Sequence, residues 1–430
     1  MRLAVTSPWR VLIWAVVLIG IRHALVRRDP LYRRFVGGME WLRASAEFSA
    51  AWPTFVSTRL AVLLVGYFAV VTIGYPIPNV PIRVSSNEFL NLASRWDTGW
   101  YLGIAVGGYR WDPNLAHQQN IAFFPAYPML MRVGGRLLGQ QPLLAGVLVS
   151  LVAFFIALLY LYRLARERMD HESAVSALLL LAAYPFALFY SAAYTESLFL
   201  CGAVAAFYHL RRADYIKAGL WGLLVGLTRP NGCLLSIPLA AVIFEERLPF
   251  LRKHFGSVRT ERPLRPVPAL AAAAMPGIGM LLFSAYLYSL TGYVFAWARA
   301  HEAWGRSYKP LTALVVDRYQ YVAANGWYGY TASLPIDVLN GLAALFVLCL
   351  VWPMTRRLGA AYGLFVVINL FTPLMAGGLL SIGRVTCVLF PIFFWLAQAV
   401  PARHRPAWIG AFAMGQALNA ALFFTWRPMY

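Results

Sequence analysis

Asp97 stands in the stretch SRWDTGWYLGIAVGGYRW, Ser94 to Trp111, with Trp96 before it and Trp100 and Tyr101 after. A carboxylate at a water–lipid boundary can stay ionised and still reach a hydroxyl, as a general base must. The rings around it can stack on a sugar or seat the loop among headgroups; in the second case Asp97 merely caps a helix starting at Thr98. Arginines on the same face would carry a planar fork of donors that suits phosphate, though any of them can also be a boundary residue snorkelling to headgroups. Glu196 can orient an arginine or bind acceptor hydroxyls, or serve as a first-turn acid on a helix dipole. Tyr109, Asp112, His117 and His301 are further candidates for substrate contact. For Asp112 the rival is the turn Trp111-Asp112-Pro113-Asn114, and for the two histidines an ordinary surface role. Asp170-His171-Glu172 has the look of a metal-binding D-x-D, but its place at a helix start makes Asp170 an expected N-cap. Cys201, Cys233, Cys349 and Cys387 show no C-x-x-C spacing and no glycine-rich nucleotide loop is present, so the sequence requires no metal or cofactor while leaving a divalent ion open.

The elements that must hold these residues are helices in a bilayer. Of 430 residues 60% are hydrophobic and 13% charged, and the mean hydropathy is +0.61. That composition describes an all-α polytopic membrane protein. The net charge of +20 does not point to nucleic acid, because the arginines punctuate apolar runs instead of forming one soluble basic face. Apolar segments fall at 52–75, 141–163, 173–192, 195–211, 215–229, 232–246, 268–289, 337–353, 359–377, 385–401 and 407–425. We therefore expect about eleven spans, within a range of ten to twelve. The N-terminal run Val11 to Ile21 is about half of the ~20 residues a crossing needs and is followed by Arg22, Arg27, Arg28, Arg33 and Arg34. It has no clear signal-cleavage site and reads as an interfacial helix, making 1–51 a cytoplasmic segment before a main domain of 52–430.

With that segment inside, roughly twice as many Lys and Arg fall on the cytoplasmic side as outside, which puts Asp97 on the outer face with long outer loops at about 76–140 and 290–336. The basic cytoplasmic loop 247–267 is expected to meet anionic headgroups. No Asp or Glu lies near the middle of an expected span; Glu88, Asp97, Asp112, Glu196, Glu302, Asp317 and Asp337 fall outside and the remainder inside. Ion-coupled transporters usually carry ionisable groups at mid-depth and repeated halves, so a transporter or flippase is disfavoured.

Several motifs recur together. RWDTGWYLGIAVGGYRW followed by AFFPAYP, then YPFALFYSAAYTESLFL (Tyr184 to Leu200), GLTRPNG (Gly226 to Gly232), AWGR (Ala303 to Arg306) and SIGRVTCVLFP (Ser381 to Pro391) resemble, in order, the PIG-V-like mannosyltransferase family. The resemblance runs from about residue 52 to 400. It implies a GT-C-type fold and an inverting transfer of mannose from a polyprenyl-phosphate donor to a lipid or glycan acceptor. Asp97 matches the family's presumed base. Arg229, Arg306 and Arg384 would face the departing phosphate, while Trp96, Tyr109, Asp112, Glu196, His117 and His301 would contact substrate. The expected location is a bacterial plasma membrane, with the site on the outer face. The rivals are the same chemistry with a glucose or arabinose donor, and a non-catalytic lipid-binding protein.

Overall fold

The computed structural model describes residues 45–76, 83–114, 116–248, 250, 254–255 and 260–429. The interfacial helix expected around Val11 to Ile21, and most of the segment 1–51, lie outside the described residues. No strand occurs among the described residues. The helices are α1 (Ala46–Thr72), α2 (Glu88–Leu92), α3 (Thr98–Gly107), α4 (Ala126–Leu137), α5 (Pro142–Arg166), α6 (His171–Ala183), α7 (Glu196–Arg211), α8 (Tyr215–Gly226) and α9 (Ser236–Arg247). They continue with α10 (Pro266–Thr291), α11 (Ala296–Ala300), α12 (Leu311–Ser333), α13 (Pro335–Leu358), α14 (Ala360–Gly377), α15 (Ile382–Cys387), α16 (Pro391–Ala399) and α17 (Arg405–Phe424). The chain is an all-α membrane protein.

Six of these, α1, α5, α10, α13, α14 and α17 with the turn before it, are long and apolar enough to cross a bilayer. The other five expected spans form shorter or broken helices, and proline chemistry explains the breaks. Pro185 disfavours helical geometry at Tyr184, so α6 ends there and the chain continues as a tight turn over Ala187–Ser191. Pro230 opens another tight turn before α9, and Pro391 starts α16 after a break at Val388 to Phe390. Irregular backbone at membrane depth is tolerable where protein surrounds it. Arg59, buried in α1, donates to Ala182 O (2.7 Å), Ala187 O (2.7 Å) and Ser191 Oγ (3.1 Å), filling the acceptors that the break after α6 leaves open.

α7 is buried along its whole length apart from Tyr208, as an all-round apolar helix should be. It packs against α5 on one side and α8 on another, and α8 lies along α10. Small residues permit that last approach: Gly219, Gly222 and Gly226 of α8 face Ala272, Met275 and Pro276 of α10, the close small-residue packing common between membrane helices. A Cβ on Gly226 would sit inside contact distance of the Pro276 carbonyl oxygen, and one on Gly279 would lie 2.7 Å from Leu223 O.

The outer segments fold over one end of this bundle. Ala126 N donates to Leu227 O (2.9 Å), joining the FFPAYP segment to GLTRPNG, while Tyr127 Oη bonds Gly146 O and Ser150 Oγ (both 2.8 Å) in α5. Because the Gly226 contact is with backbone and cannot yield by a rotamer change, Gly226→Ala should destabilise the protein by about 1–3 kcal/mol. A melting curve in lipid nanodiscs that matched wild type would refute the close approach of α8 to α10.

Candidate active site

The C-terminal turn of the short α15 and the N-terminus of α7 meet the start of α3. Asp97 occupies the cap position of α3, yet its side chain makes no capping bond. Its Oδ2 accepts from Arg384 Nη1 at 2.6 Å. Arg384 also donates through Nε to Glu196 Oε1 at 2.9 Å, and its Nη2 lies at the same distance from that oxygen. The same Oε1 accepts from Arg229 Nη2 at 3.1 Å. Four residues that lie far apart in sequence thus form one continuous ion-pair chain, Asp97–Arg384–Glu196–Arg229.

Exposure separates the two carboxylates. The Glu196 side chain is 0% exposed and that of Asp97 24%, so an incoming hydroxyl can reach only Asp97. Glu196 spends one oxygen on two guanidiniums, while its Oε2 and the Nη1 of Arg229 are buried with no hydrogen-bond partner among the described residues. The Arg384 guanidinium rests on Tyr194 (4.6 Å) and Phe189 (5.1 Å), and that of Arg229 on Phe199 (5.4 Å). Such cation–ring contacts fix the direction of the charge.

Local backbone explains how these groups are aimed. Trp96 and Ser381 adopt left-handed φ of 48° and 60°, a strained state for residues with a Cβ. Each lies beside a charged residue of the chain, Trp96 next to Asp97 and Ser381 at the start of the helix bearing Arg384. Tyr194 Oη accepts from Asp97 N (3.1 Å) and donates to Arg95 O (3.2 Å), bracing the Trp96 kink. Arg95, 1% exposed, clamps the same bend through Phe424 O (2.8 Å), Ser94 O (2.9 Å) and Asn91 O. Gly383 N donates to Asn340 Oδ1 (2.8 Å), and Tyr190 Oη to Cys387 O (2.6 Å), so α15 is held from both sides. Asn231 Nδ2 donates to Asn369 Oδ1 (2.8 Å), fastening the turn after Arg229 to α14.

Arg306 enters from the second outer loop. It follows Gly305 at φ 72° and packs its side chain near Gly377. Burial lowers its pKa to about 10, helped by Arg384 and Arg229. It has no carboxylate partner among the described residues. Trp304, two residues earlier, lies edge-on to Trp100 (5.1 Å) and Phe123 (5.4 Å), so the AWGR segment folds down on α3. His301 Nδ1 donates to Trp297 O (2.6 Å), and burial pushes its pKa down to about 4, with Arg306 lowering it further.

The remaining candidates have other neighbours. Trp96 packs against Trp426 at 5.0 Å. Tyr109 donates to Phe123 O (2.8 Å) and lies against Phe283 and Tyr286. Asp112 Oδ1 accepts from Asn114 N (2.9 Å), making the turn its sequence suggests, and Asp112 and His117 line a separate cavity beside α3. Asp170 caps α6 through Ser173 N (2.7 Å). Among the described residues no three His, Cys, Asp or Glu side chains gather as a metal site would need. Sequence reading gave Tyr194 and Trp304 no role, although both lie in quoted motifs; Arg59 and Arg95 carried the signal of an arginine inside or beside an apolar run.

What fold and site define together is a polytopic membrane protein with a reachable carboxylate tied to a cluster of arginines. Residues 76–328 match the family described as Mannosyltransferase (PIG-V), and the chain belongs to that family. It is 26% identical over 211 residues to the GPI alpha-1,6-mannosyltransferase 2 of Mus musculus, a match covering 47% of this chain and 40% of that protein. Among solved structures it is similar to the archaeal oligosaccharyltransferase AglB from Archaeoglobus fulgidus in complex with an inhibitory peptide and a dolichol-phosphate. That match has 13% identity and a TM-score of 0.43 over 87% of this chain and 56% of that one. The apo form of the Archaeoglobus fulgidus oligosaccharyltransferase gives 12% and 0.41 over the same shares.

Glu196 is the joint of the cluster, and its loss leaves two guanidiniums short of their shared partner. Glu196→Gln should therefore cost about 3–5 kcal/mol, read as a lower melting temperature; an unchanged melt would mean the pairing does not support the fold. His301 sets a pH dependence. Unfolded imidazole binds its proton near 6.5 and the folded protein only near 4, so the unfolded chain holds more protons between these values. Stability is then full above pH 6.5 and falls as pH drops toward 4. His301→Gln should lose less stability than wild type between pH 7 and 5, and parallel curves would contradict the buried, neutral imidazole.

Proposed function

We propose that this protein is a GT-C-type, inverting mannosyltransferase that moves mannose from a polyprenyl-phosphate donor to a hydroxyl of a lipid or glycan acceptor. It acts at the extracytoplasmic face of a membrane, which we take to be a bacterial plasma membrane. The observation that carries this reading is the contact of Asp97, the reachable carboxylate, with Arg384, itself tied through Glu196 to Arg229.

The chemistry follows from those parts. The acceptor hydroxyl gives its proton to Asp97 as its oxygen bonds to C1 of the sugar; the bond from C1 to the phosphate oxygen breaks, and its electron pair leaves with the phosphate. Attack opposite the leaving group inverts C1. Phosphate needs no protonating acid, so one carboxylate suffices where an inverting glycosidase uses two. Arg384, Arg229 and Arg306 supply positive charge where the phosphate gains it, and being fixed in advance they need little reorganisation. The family supports mannose as the sugar transferred.

Purified wild type and Asp97→Asn, in nanodiscs, should be given radiolabelled polyprenyl-phosphate mannose and a membrane-lipid extract. Wild type should transfer label, and the variant should do so about 10²- to 10⁴-fold more slowly while still folding, because Arg384 keeps its pairing with Glu196. Near-normal transfer by Asp97→Asn would remove Asp97 as base. A wild type that binds donor and leaves it intact would favour a lipid-binding protein.

A further inference from the structure

One part of the substrate still has no contact, the sugar itself. The arginines serve the phosphate and Asp97 serves the acceptor hydroxyl, so a group that reads the sugar must stand between them. The tight turn His301–Trp304 reaches both sides. Arg306 N donates to His301 O (3.2 Å), which folds the arginine back onto the turn. At the other end Trp304 lies edge-on to Trp100 (5.1 Å), and Trp100 N donates to Asp97 O (3.0 Å). Asp97 and Arg306 are both close enough to act on the charge of His301, in opposite senses.

The neighbours of His301 also fix its chemistry. Its Nδ1 faces the carbonyl oxygen of Trp297 at 2.6 Å. Two acceptors cannot bond, so Nδ1 carries the proton. Trp297 is itself pinned, its Nε1 donating to Ser284 Oγ (3.0 Å) in α10, so the imidazole is oriented from a long helix. Burial outweighs the pull of the Trp297 carbonyl and of Asp97, and the ring gives up its second proton already near pH 4. It is therefore neutral at physiological pH. Nε2 is left as a bare lone pair that can only accept, and it has no hydrogen-bond partner among the described residues. The residue is half-buried.

A lone acceptor in this place selects its own ligand atom. The oxygens of a phosphodiester only accept, so the phosphate cannot satisfy Nε2. The attacking hydroxyl commits its proton to Asp97. What remains between the two is the sugar, whose hydroxyls donate. We infer that His301 is a specificity-determining residue, its Nε2 accepting a hydrogen bond from one hydroxyl of the transferred sugar as that sugar lies between Arg306 and Asp97. The inference rests on the proposed function for the sugar-phosphate donor and adds the contact that reads the sugar. An isomer that turns this hydroxyl away leaves Nε2 unpaired beneath it and is disfavoured.

The test uses the full chain in nanodiscs with polyprenyl-phosphate mannose and a set of analogues, each lacking a different hydroxyl of the sugar. His301→Asn keeps a donor for Trp297 O and places nothing at Nε2. His301→Phe keeps the ring and has no acceptor, and it serves the same comparison if melting shows that His301→Asn does not fold. In wild type one analogue should lose about 10- to 100-fold in kcat/KM against mannose. The variant should lose about as much on mannose and nothing further on that analogue, because the hydrogen bond is already gone. An equal loss by the variant on every donor, the mark of a structural residue, would overturn the contact, as would a variant that transfers mannose like wild type. If wild type transfers no mannose, the mannosyltransferase reading fails and binding decides the contact separately. Wild type should then hold polyprenyl-phosphate mannose more tightly than one analogue, while the variant holds both alike; a wild type that binds all of them equally would sink this inference too.

Discussion

A carboxylate with no exposed surface has to be neutralised where it stands, and much of this architecture can be read as the means of doing that for Glu196. Its Oε1 takes donors from both Arg229 and Arg384. An uncompensated charge at such depth would cost several kcal/mol, so the positions of these arginines are not free. Each comes from a different broken segment, the first from the turn between α8 and α9, the second from α15. The breaks are therefore part of how the cluster is assembled. A continuous helix through Pro230 or through Phe390 would carry its arginine along one rigid axis, whereas a bend lets the chain end its helix at the depth of Glu196.

The cluster also dictates where strain is kept. Left-handed backbone at Trp96 and Ser381 is unfavourable by itself, and it persists because hydrogen bonds from several elements hold each bend. Arg95 and Tyr194 hold the first; Asn340 and Tyr190 hold the second. These clamps come from α13, α17, the turn after α6 and the segment leading into α7. The five ordered motifs thus meet through definable contacts: Asp97 with Arg384, Arg384 with Glu196, Glu196 with Arg229, and Trp304 with Trp100.

Hydropathy and charge were enough to read an all-α membrane chain, because composition carries that information, whereas Asp97 and the three arginines were marked by the motifs that resemble the family. Span lengths were less legible. Apolar content shows that 173–192 is buried, but only Pro185 hints that it breaks, and a broken segment inside protein looks like a span to any measure of hydropathy. The pairing of Glu196 was not legible at all. Its partners lie 33 and 188 positions away, and nothing in local sequence says which of two functional readings, arginine orienter or substrate contact, the fold selects.

Charge balance connects the parts under the proposed reaction. At rest, three guanidiniums face two carboxylates, so one positive charge is uncompensated, and Arg306 is the one without a carboxylate partner among the described residues. A polyprenyl-phosphate sugar is a phosphodiester with a single negative charge, which that excess matches. When the acceptor proton reaches Asp97, the excess grows to two; in the same event the departing phosphate becomes a monoester and gains its second charge. The site and its ligand therefore remain neutral together on both sides of the transfer. Tying two arginines to a buried glutamate serves that balance better than leaving all three unpaired would, because a site with a larger excess would hold the doubly charged product tightly and slow its release. On this argument Glu196 sets how many charges the arginines present, and Asp97 is the group whose charge changes as the reaction proceeds.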